Sequence, residues 1–446
     1  MPNRSFSPAF GWVTGRFVGA LVGIAVLIAA AALYPPMLFV AGIAGAVLAA
    51  SLLADLALGP NKRLIQIERE PVGHLALRSP AHLGYAISNR SDARLYFRIV
   101  DTPIPAFEFP EEPAVGRVGP DRRTSLALSV MPRLRGEAEL GRLYVTATNA
   151  LGLVARRWTV AEQTRVRVYP DLSAVERYGE LARRGRLVEA GFRKLRLHGR
   201  GGEFDALRDW TPDDEFRTID WKATARRGKL MVDQYDIERS QTVMLVLDAG
   251  RLMTPRLGPQ QKFDYAITAA LSVAAIAALV DDKVGLLAFA GEILDHIAPR
   301  SGSAHTNALT SRVYDLQPRF EESDYARAFT YLRRRQPKRS LVIFFTDMFD
   351  PVASAATLSN LALITPRHLA VCVLMNDEAV QQALRTVPET PHDAYRAAVA
   401  AELLTARQTA IAILRQRGII VIDVPAKDLT VSLINAYVEI KAQSLL

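Results

Sequence analysis

The fold of the C-terminal half is decided by residues 243–290, which read VMLVLDAGRLMTPRLGPQQKFDYAITAALSVAAIAALVDDKVGLLAFA. Two short apolar runs, Val243–Asp248 and Val284–Ala290, flank a longer alanine-rich segment, Lys262–Val280. Short continuous apolar runs are typical of strands buried on both faces of a sheet, and the longer segment has the length of a helix. The stretch therefore predicts a strand, a helix and a second strand of a parallel sheet.

The same alternation continues toward the C-terminus. Further elements are predicted as strands at Leu341–Phe345, Leu369–Leu374 and Ile419–Val424, a helix at about Ala394–Arg417, and a last helix through Tyr437. Residues 241–446 are therefore predicted to form a doubly wound α/β domain, in which helices cover both faces of a mainly parallel sheet.

Residues 63–172 show a different pattern, in which short alternating segments are separated by Pro, Gly, Asn and Asp. Leu143–Thr148 and Val166–Tyr169 are two of these segments. Alternation of polar and apolar residues is typical of strands with one buried face. Because no long helical period interrupts it, the pattern predicts a small β-sandwich, whose strand order cannot be read from the sequence.

The first 62 residues contain two predominantly apolar runs, at 17–34 and 37–58, separated by Pro35 and Pro36. A run of about 18 residues, at about 1.5 Å per residue, nearly spans the roughly 30 Å hydrocarbon core of a bilayer. The runs predict a transmembrane helical hairpin, with the prolines at its turn. A cleaved signal peptide is the alternative for the first run, and the immediate second run disfavours it.

Flanking cations indicate how the hairpin is oriented. Arg4 and Arg16 precede the first run, Lys62 and Arg63 follow the second, and the turn carries no cation. Both ends are therefore predicted to face the cytoplasm. The expected location is a bacterial inner (cytoplasmic) membrane, with the soluble domains in the cytoplasm.

Two further features bear on the compartment and on the number of membrane spans. The single cysteine, Cys372, excludes an intramolecular disulfide and fits a reducing compartment. A third apolar stretch, Tyr265–Val280, is flanked by aspartates and lies between two predicted strands, so it is interpreted as a buried helix rather than a membrane span.

Residues 173–240 comprise a basic linker followed by an Arg/Asp/Trp segment, and the excess positive charge of the chain, net +9, concentrates in the linker between Arg183 and Arg200. The basic run comprises Arg183, Arg184, Arg186, Arg193, Lys194, Arg196 and Arg200, against Glu189 alone. A solvated or lipid-facing surface is the default interpretation of such a run. Nucleic acid is not the expected partner, because no aromatic-interleaved or zinc module accompanies the cations.

Hydroxyl and carboxylate groups follow the predicted strands of the α/β domain, at the edge where ligands bind in doubly wound sheets. The candidate residues are Asp248, Ser323, Asp324 and Asp347. This arrangement resembles the von Willebrand factor A-like fold, whose metal-ion-dependent adhesion site uses an Asp-x-Ser-x-Ser loop, a later Thr or Asp, and a Thr-Asp turn. The resemblance implies a possible Mg²⁺ site made of oxygen ligands.

The first loop departs from that motif. Gly250 and Leu252 stand where the two serine ligands belong, and Arg251 places a cation between them. The loss of two oxygen ligands weakens Mg²⁺ binding, so the metal site is degenerate and no cofactor is expected. The alternative interpretation is structural: Asp248 and Asp347 cap helices and hold loops.

Residues 201–226, GGEFDALRDWTPDDEFRTIDWKATAR, form the most distinctive segment of the chain. It closely resembles the signature of the domain of unknown function fifty-eight family, whose members are usually encoded beside MoxR-type AAA+ ATPases. The residues that match the signature are Arg208, Asp213, Asp220, Trp221 and Arg226. The resemblance implies a membrane-anchored partner of such an ATPase, and leaves open whether these residues are structural or contact the partner.

The sequence lacks the common catalytic motifs: a phosphate-binding loop, a His-Glu-x-x-His zinc motif and a Gly-x-Ser-x-Gly elbow. The leading hypothesis is a non-enzymatic adaptor or scaffold that works with a MoxR-type ATPase on client proteins. One alternative is a metal-dependent hydrolase that uses Asp248, Asp324 and Asp347. Another is a factor that tethers envelope-assembly machinery.

Overall fold

The computed structural model describes residues 13–57, 59–160, 163–173, 203–211, 216, 219–236, 241–347 and 364–443. The chain divides into two compact units, Met1–Tyr169 and Pro170–Leu446.

The first unit begins with two apolar helices, α1 (Gly15–Ala30) and α2 (Met37–Ala57), which pack against one another. Most of their side chains are exposed, including Phe39 at 75%. Helix α1 ends earlier than the predicted 17–34, because residues 31–34 form hydrogen-bonded turns before the two prolines.

Three helices in the described part of the chain are long and apolar enough to cross a membrane, and α1 is a shorter apolar helix. The three are Met37–Ala57, Lys262–Leu279 and Pro391–Gln416. Of these, Lys262–Leu279 is mostly buried inside the second unit, which fits the interpretation of this stretch as a core helix.

The base of the helical pair is bonded to the turn at residues 149–155. Asp55, in the last turn of α2, accepts hydrogen bonds from the backbone N–H groups of Leu153 and Val154, both at 2.7 Å. Arg156 donates to the carbonyl of Leu56 at 2.8 Å and so satisfies an otherwise open carbonyl at the end of α2. On the other helix, the backbone N–H of Thr14 donates to Leu153 O at 2.9 Å. The helices are therefore fixed to this turn by side-chain and backbone bonds.

Short strands form the rest of the first unit. They are β1 (Ile65–Arg69), β2 (Leu75–Ala76), β3 (Ala81–Asn89), β4 (Leu95–Asp101), β5 (Phe107–Glu108), β6 (Ala114–Val118), β7 (Arg122–Pro132), β8 (Gly136–Leu140), β9 (Leu143–Thr148), β10 (Arg156–Val160) and β11 (Thr164–Tyr169). Two four-stranded antiparallel sheets, ordered β1-β3-β7-β5 and β10-β9-β4-β6, share one buried core. A third sheet is ordered β2-β11-β8. The core forms because alternate residues point inward, as in β1, where Ile65 and Ile67 are buried and their neighbours are exposed.

The second unit alternates strands and helices. Its strands are β12 (Glu203–Asp209), β13 (Met231–Asp236), β14 (Thr242–Asp248), β15 (Arg256–Leu257), β16 (Gln260–Gln261), β17 (Lys283–Phe289), β18 (Ile293–Arg300), β19 (Leu341–Phe345), β20 (Leu369–Asn376) and β21 (Ile420–Pro425). Its helices are α3 (Trp221–Arg227), α4 (Lys262–Leu279), α5 (Ser303–Val313), α6 (Tyr325–Arg335), α7 (Glu378–Arg385), α8 (Pro391–Gln416) and α9 (Leu429–Ala442). Single 3-10 turns lie at Arg251–Met253 and Ala426–Asp428.

Six of these strands form one sheet, ordered β18-β17-β14-β19-β20-β21. Neighbouring strands are parallel except for β18, which pairs antiparallel with β17 at the edge. Val243, Leu245 and Leu247 of the central strand β14 pack with α4, α5 and α9. Met244 and Val246 point to the other face and pack with α6 and α8. Both faces are therefore covered, which explains why this strand is a continuous apolar run.

Helix α8 begins three residues before its predicted start. Thr390 and Asp393 form a reciprocal capping box, and Pro391 occupies the first turn. A proline tolerates that position because its missing N–H has no partner within the helix there. Local capping chemistry, rather than the apolar pattern, thus sets the beginning of this helix.

Candidate functional site

The candidate site lies at the carboxyl edge of the large sheet, where β14 and β19 end side by side. Leu247 is paired with Phe345, so the next residues, Asp248 and the Thr346–Asp347 turn, emerge at the same edge. Parallel strands bring their carboxyl ends together, which is why residues almost one hundred positions apart meet here.

Asp248 is fully buried and accepts four hydrogen bonds. Its Oδ1 accepts from the backbone N–H of Gly250 at 2.9 Å and from the hydroxyl of Ser323. Its Oδ2 accepts from the hydroxyls of Thr346 at 2.7 Å and Tyr325 at 2.8 Å. A carboxylate has about four acceptor positions, so internal donors occupy the full capacity of this group.

The charge state of Asp248 reflects two opposing effects. Burial raises its pKa, because a charged carboxylate is less stable away from water. Hydrogen bonds from Ser323, Gly250, Thr346 and Tyr325 offset part of this rise. The side chain of Asp248 therefore holds together the end of β14, the Thr346–Asp347 turn and the segment that contains Ser323 and Tyr325.

Asp347 is buried beside two cations. Its Oδ2 contacts Nζ of Lys262, the first residue of α4, and its Oδ1 accepts from Nη1 of Arg407, in α8, at 2.7 Å. Arg407 also donates through Nη2 to Asp423, at the end of β21, at 2.8 Å, and to the carbonyl of Met375 at 3.0 Å. These four ionisable side chains, Lys262, Asp347, Arg407 and Asp423, are named the buried ion cluster below.

The buried ion cluster links elements from both faces of the sheet, since α4 packs on one face and α8 on the other. Burial by itself lowers the pKa of Arg407, but attraction to Asp347 and Asp423 outweighs that effect and raises it. Burial of two cations against two carboxylates satisfies the charges internally. The cluster thus has a direct structural role at the end of β19.

These residues do not fit the octahedral oxygen shell of Mg²⁺. The acceptor positions of Asp248 are taken by donors, and Asp347 is paired with two cations. Gly250 also leaves no room for the serine of an adhesion-type loop, because a Cβ added there would lie 2.0 Å from Ser323 Oγ. Within the described ranges, no three His, Cys, Asp or Glu side chains are grouped as a metal site.

Asp324 has a different structural role, as the N-cap of a helix. Its side chain caps α6 by accepting a hydrogen bond from the backbone N–H of Arg327 at 2.9 Å, and Asp324 itself is exposed. Of the four candidate metal residues, the structure joins Asp248 to Ser323 directly, holds Asp347 in the buried ion cluster, and places Asp324 at a helix N-terminus. The structural alternative assigned loop holding and helix capping to Asp248 and Asp347; in the described residues Asp248 holds loops, and the helix cap is made by Asp324 instead.

An exposed charged rim surrounds Asp248. Arg251 pairs with Glu322 at 2.5 Å, and Arg319 pairs with Glu292 at 2.8 Å and with Glu321 at 3.7 Å. Backbone bonds hold the rim in place, from Arg251 N to Glu321 O at 2.8 Å and from Arg319 N to the carbonyl of Ala249 at 2.7 Å. We name Arg251, Glu292, Arg319, Glu321 and Glu322 the charged rim. It presents both signs of charge to solvent on a fixed backbone.

The signature segment supplies the first strand of a small hairpin and a short helix. Strands β12 and β13 pair antiparallel, with Arg208 opposite Val232, and α3 precedes β13. Asp220 caps α3 by accepting from the backbone N–H groups of Lys222 at 2.8 Å and Ala223 at 3.1 Å. The predicted residue Asp220 therefore has a local structural role.

Two other signature residues lie on the surface of that helix. Trp221 is 65% exposed, and Arg226 is exposed in the last turn of α3. Tryptophan and arginine are among the residue types enriched at the energetic hot spots of protein interfaces. The predicted residue Asp213 and the basic run 183–200 lie outside the described residues.

Sequence reasoning missed three members of the buried ion cluster: Lys262, Arg407 and Asp423. Only Lys262 carried a signal, as a lone cation at the start of an apolar helix whose other early residues are buried. Cys372, expected in the core, lies fully buried in β20, and burial raises the pKa of its thiol to about 12. A thiol in that state is not a nucleophile.

Part of the chain matches a known protein family. Residues 206–391 match the family described as "Protein of unknown function DUF58", which confirms the resemblance seen in the signature segment. Uncharacterised proteins of Mycobacterium bovis and Mycobacterium tuberculosis are 26% identical over 211 residues, a stretch that covers 46% of this chain and 66% of theirs. The chain thus spans just under two thirds of the length of these relatives.

Solved structures give weaker likenesses. A PapD-like domain of human CEP192 has a TM-score of 0.19 at 10% identity, and the alignment covers 25% of this chain and 90% of that domain. Alpha-2-macroglobulin of Escherichia coli has a TM-score of 0.19 at 19% identity, with 24% of this chain and 9% of that protein covered. The likeness to von Willebrand factor A domains stays a prediction.

Proposed function

We propose that this protein is a membrane-anchored, non-enzymatic adaptor that binds a protein partner through the carboxyl edge of its large sheet. The observation that carries the proposal is the division of roles at that edge. The buried carboxylates Asp248 and Asp347 are bonded to internal partners, whereas the charged rim around them is exposed. A fixed, exposed surface with complementary charges suits recognition of another protein.

The helical pair supports the anchoring part of the proposal. Helix α2 is long and apolar enough to cross a membrane, and both α1 and α2 expose apolar side chains. We propose a hairpin in a bacterial inner membrane, with the strands of the first unit and the whole second unit in the cytoplasm, because the cations Arg4, Arg16, Lys62 and Arg63 flank the hairpin. Asp55 bonds α2 directly to the turn that follows β9. The proposed anchor is therefore joined to the strands of the first unit by hydrogen bonds.

The proposed partner is a MoxR-type AAA+ ATPase, together with a client protein that the ATPase remodels or matures. This part rests on the resemblance of the signature segment to its family. Trp221 and Arg226 supply the second contact surface, because both are exposed on α3. A tether for envelope-assembly machinery differs from this proposal in its client, and the identity of the captured client separates the two.

A metal-dependent hydrolase that uses Asp248, Asp324 and Asp347 is not favoured by the geometry. The three carboxylates take part in three different internal interactions: a hydroxyl network, a helix cap and the buried ion cluster. Catalytic metal ions need several of their oxygen ligands directed at one point.

The test is capture of partners from membranes that contain the full-length protein solubilised in detergent, in several nucleotide states. We expect an AAA+ ATPase to copurify with the wild-type protein. Arg251→Glu reverses one charge of the rim and is expected to reduce recovery, whereas Arg312→Glu, in an exposed ion pair with Asp295, serves as the matched control. Equal recovery from both variants would remove the charged rim from the interface, and no ATPase in any nucleotide state would overturn the proposed partnership.

A further inference from the structure

One end of the first unit is strongly basic. The helical pair enters at this end, and the β-hairpin turns around it come from both sandwich sheets. The segments that meet there are 13–16, 59–64, 89–95, 118–122 and 149–156. We name these five segments the basic end.

Strand register and turn contacts bring the basic end together. Ile65 pairs with Asn89, and Asn89 pairs with Arg122, so the beginnings of β1 and β7 and the end of β3 are level. The side chain of Asn89 then joins two turns by donating to the carbonyls of Ala93 at 2.8 Å and Gly119 at 2.9 Å. In the other sheet, pairing of β4 with β6 and β9 brings the 149–156 turn to the same end.

The charges of the basic end are nearly all positive. Its cations are Arg16, Lys62, Arg63, Arg90, Arg94, Arg122 and Arg156, and its carboxylates are Asp92 and Asp121. The opposite end of the same strands is different, because it includes Glu70, Glu108, Glu111 and Glu112 beside its arginines. The sandwich thus carries its positive charge at the end from which the helices project.

With the proposed anchoring, the bonds of Asp55 bring this end to the membrane surface. Residues 37–54 of α2, at about 1.5 Å per residue, nearly fill the roughly 30 Å hydrocarbon layer, so Asp55 lies at its boundary. Because Asp55 accepts from the backbone of Leu153 and Val154 at 2.7 Å, the turn that contains them lies at the same depth. Leu151 in this turn is 46% exposed and supplies an apolar contact for the interface.

We propose that the basic end is a docking surface for anionic phospholipid headgroups, which seats the sandwich against the membrane that α1 and α2 cross. This inference rests on the proposed membrane anchoring. Cations near an anionic leaflet are attracted within about one Debye length, roughly 10 Å at 0.1 M salt. Each of them changes the ratio of docked to undocked molecules about fivefold. The choice of lipid follows from the charge, since zwitterionic headgroups offer no net attraction.

The test uses full-length protein reconstituted into vesicles of phosphatidylcholine alone or mixed with phosphatidylglycerol. A fluorophore is placed by Asp92→Cys in the basic end or by Glu112→Cys at the opposite end, and both changes remove one exposed carboxylate. Labelling is selective because the native Cys372 is fully buried. Quenching by a headgroup-attached quencher reports the distance of each position from the bilayer.

We expect quenching at position 92 to be stronger in the anionic vesicles and to fall as salt is raised, with little quenching at position 112 in either lipid. Arg90→Gln combined with Arg94→Gln is expected to lower the docked-to-undocked ratio about twenty-fivefold, which is two cations at about fivefold each. The matched double change, Arg133→Gln with Arg142→Gln at the opposite end, is expected to leave it unchanged.

Vesicle flotation distinguishes the two ways in which this account fails. If the protein floats with both vesicles and quenching at position 92 is the same in both, the docking surface is refuted and the anchoring stands. If the protein floats with neither, the anchoring is refuted and the docking surface with it.

Discussion

Removal of the Lys262 ammonium is the most direct test of the buried ion cluster. Lys262→Met keeps the length and most of the volume of the side chain, but leaves Asp347 with Arg407 as its remaining cation. Removing one partner of a buried ion pair typically costs about 3–5 kcal/mol, because it leaves a charge without compensation. Since Arg407 stays in place, we expect a loss of about 3 kcal/mol, at the lower end of that range.

Hydrogen exchange of the full-length protein in detergent is the suitable assay, because the two units need not unfold together. Peptides that contain β14 and β19 report the opening of the sheet beside the cluster. Lys427→Met is the matched control, since Lys427 pairs with Glu378 at 2.6 Å but both side chains are more than half exposed. Such a surface pair contributes roughly 0–1 kcal/mol.

A second variant separates the ion pair from the loss of a lysine as such. When Asp347→Asn is combined with Lys262→Met, the double variant should lose less stability than the sum of the two single changes, because neither partner then stays charged alone. If Lys262→Met slows or speeds exchange no more than Lys427→Met does, or if the two changes at the cluster are additive, the reasoning about the buried ion cluster is refuted.

Four further outcomes are expected. Gly250→Ala should lose about 1–3 kcal/mol by overpacking, because its Cβ would lie 2.0 Å from Ser323 Oγ, and unchanged exchange of β14 peptides would contradict this contact. Asp55→Ala should cost about 1–3 kcal/mol through two unpaired backbone donors, seen as faster exchange in residues 151–156 but not in β17. A thiol with its pKa raised to about 12 stays protonated as pH rises from 7 to 9, so Cys372 should resist maleimide throughout that window, and rapid labelling of the native protein would disprove its burial. Titration calorimetry with Mg²⁺ or Mn²⁺ at millimolar concentration should show no binding, and a saturable heat lost on addition of a chelator would restore the metal site.

The sheet strands could be predicted closely because each is a continuous apolar run. Strand β14 was expected at Val243–Asp248 and is observed at Thr242–Asp248, and β19 was predicted with its observed bounds, Leu341–Phe345. A strand that is buried on both faces consists almost entirely of apolar residues. Its position can therefore be predicted without knowing which strands or helices pack against it. Helix ends were less certain, since α1 stops at Ala30 although the residues after it are still uncharged.

The contacts of the candidate site were harder to predict than its position. Asp248 and Asp347 could be placed at one edge of the sheet, because the carboxyl ends of parallel strands coincide. The partners of Asp347 could not be predicted, because Lys262 and Arg407 lie on helices distant from it in the sequence. A single sequence does not show which of its many cations are buried beside a carboxylate. The hydrogen bonds of Asp55 could not be predicted either. A carboxylate that follows an apolar run marks the end of that run, but the sequence does not show whether a distant turn bonds to the carboxylate.

The attachment of α2 to the sandwich also has a mechanical consequence. Two hydrogen bonds to Asp55 and two from Arg156 connect the end of this helix to the β9–β10 turn and to the segment before β1. A pulling force applied to the strands of the first unit is therefore transmitted directly to the helices through these hydrogen bonds. It does not first have to extend a flexible linker. In the orientation proposed above, mechanical work by a cytoplasmic partner on the strands would act directly on α1 and α2.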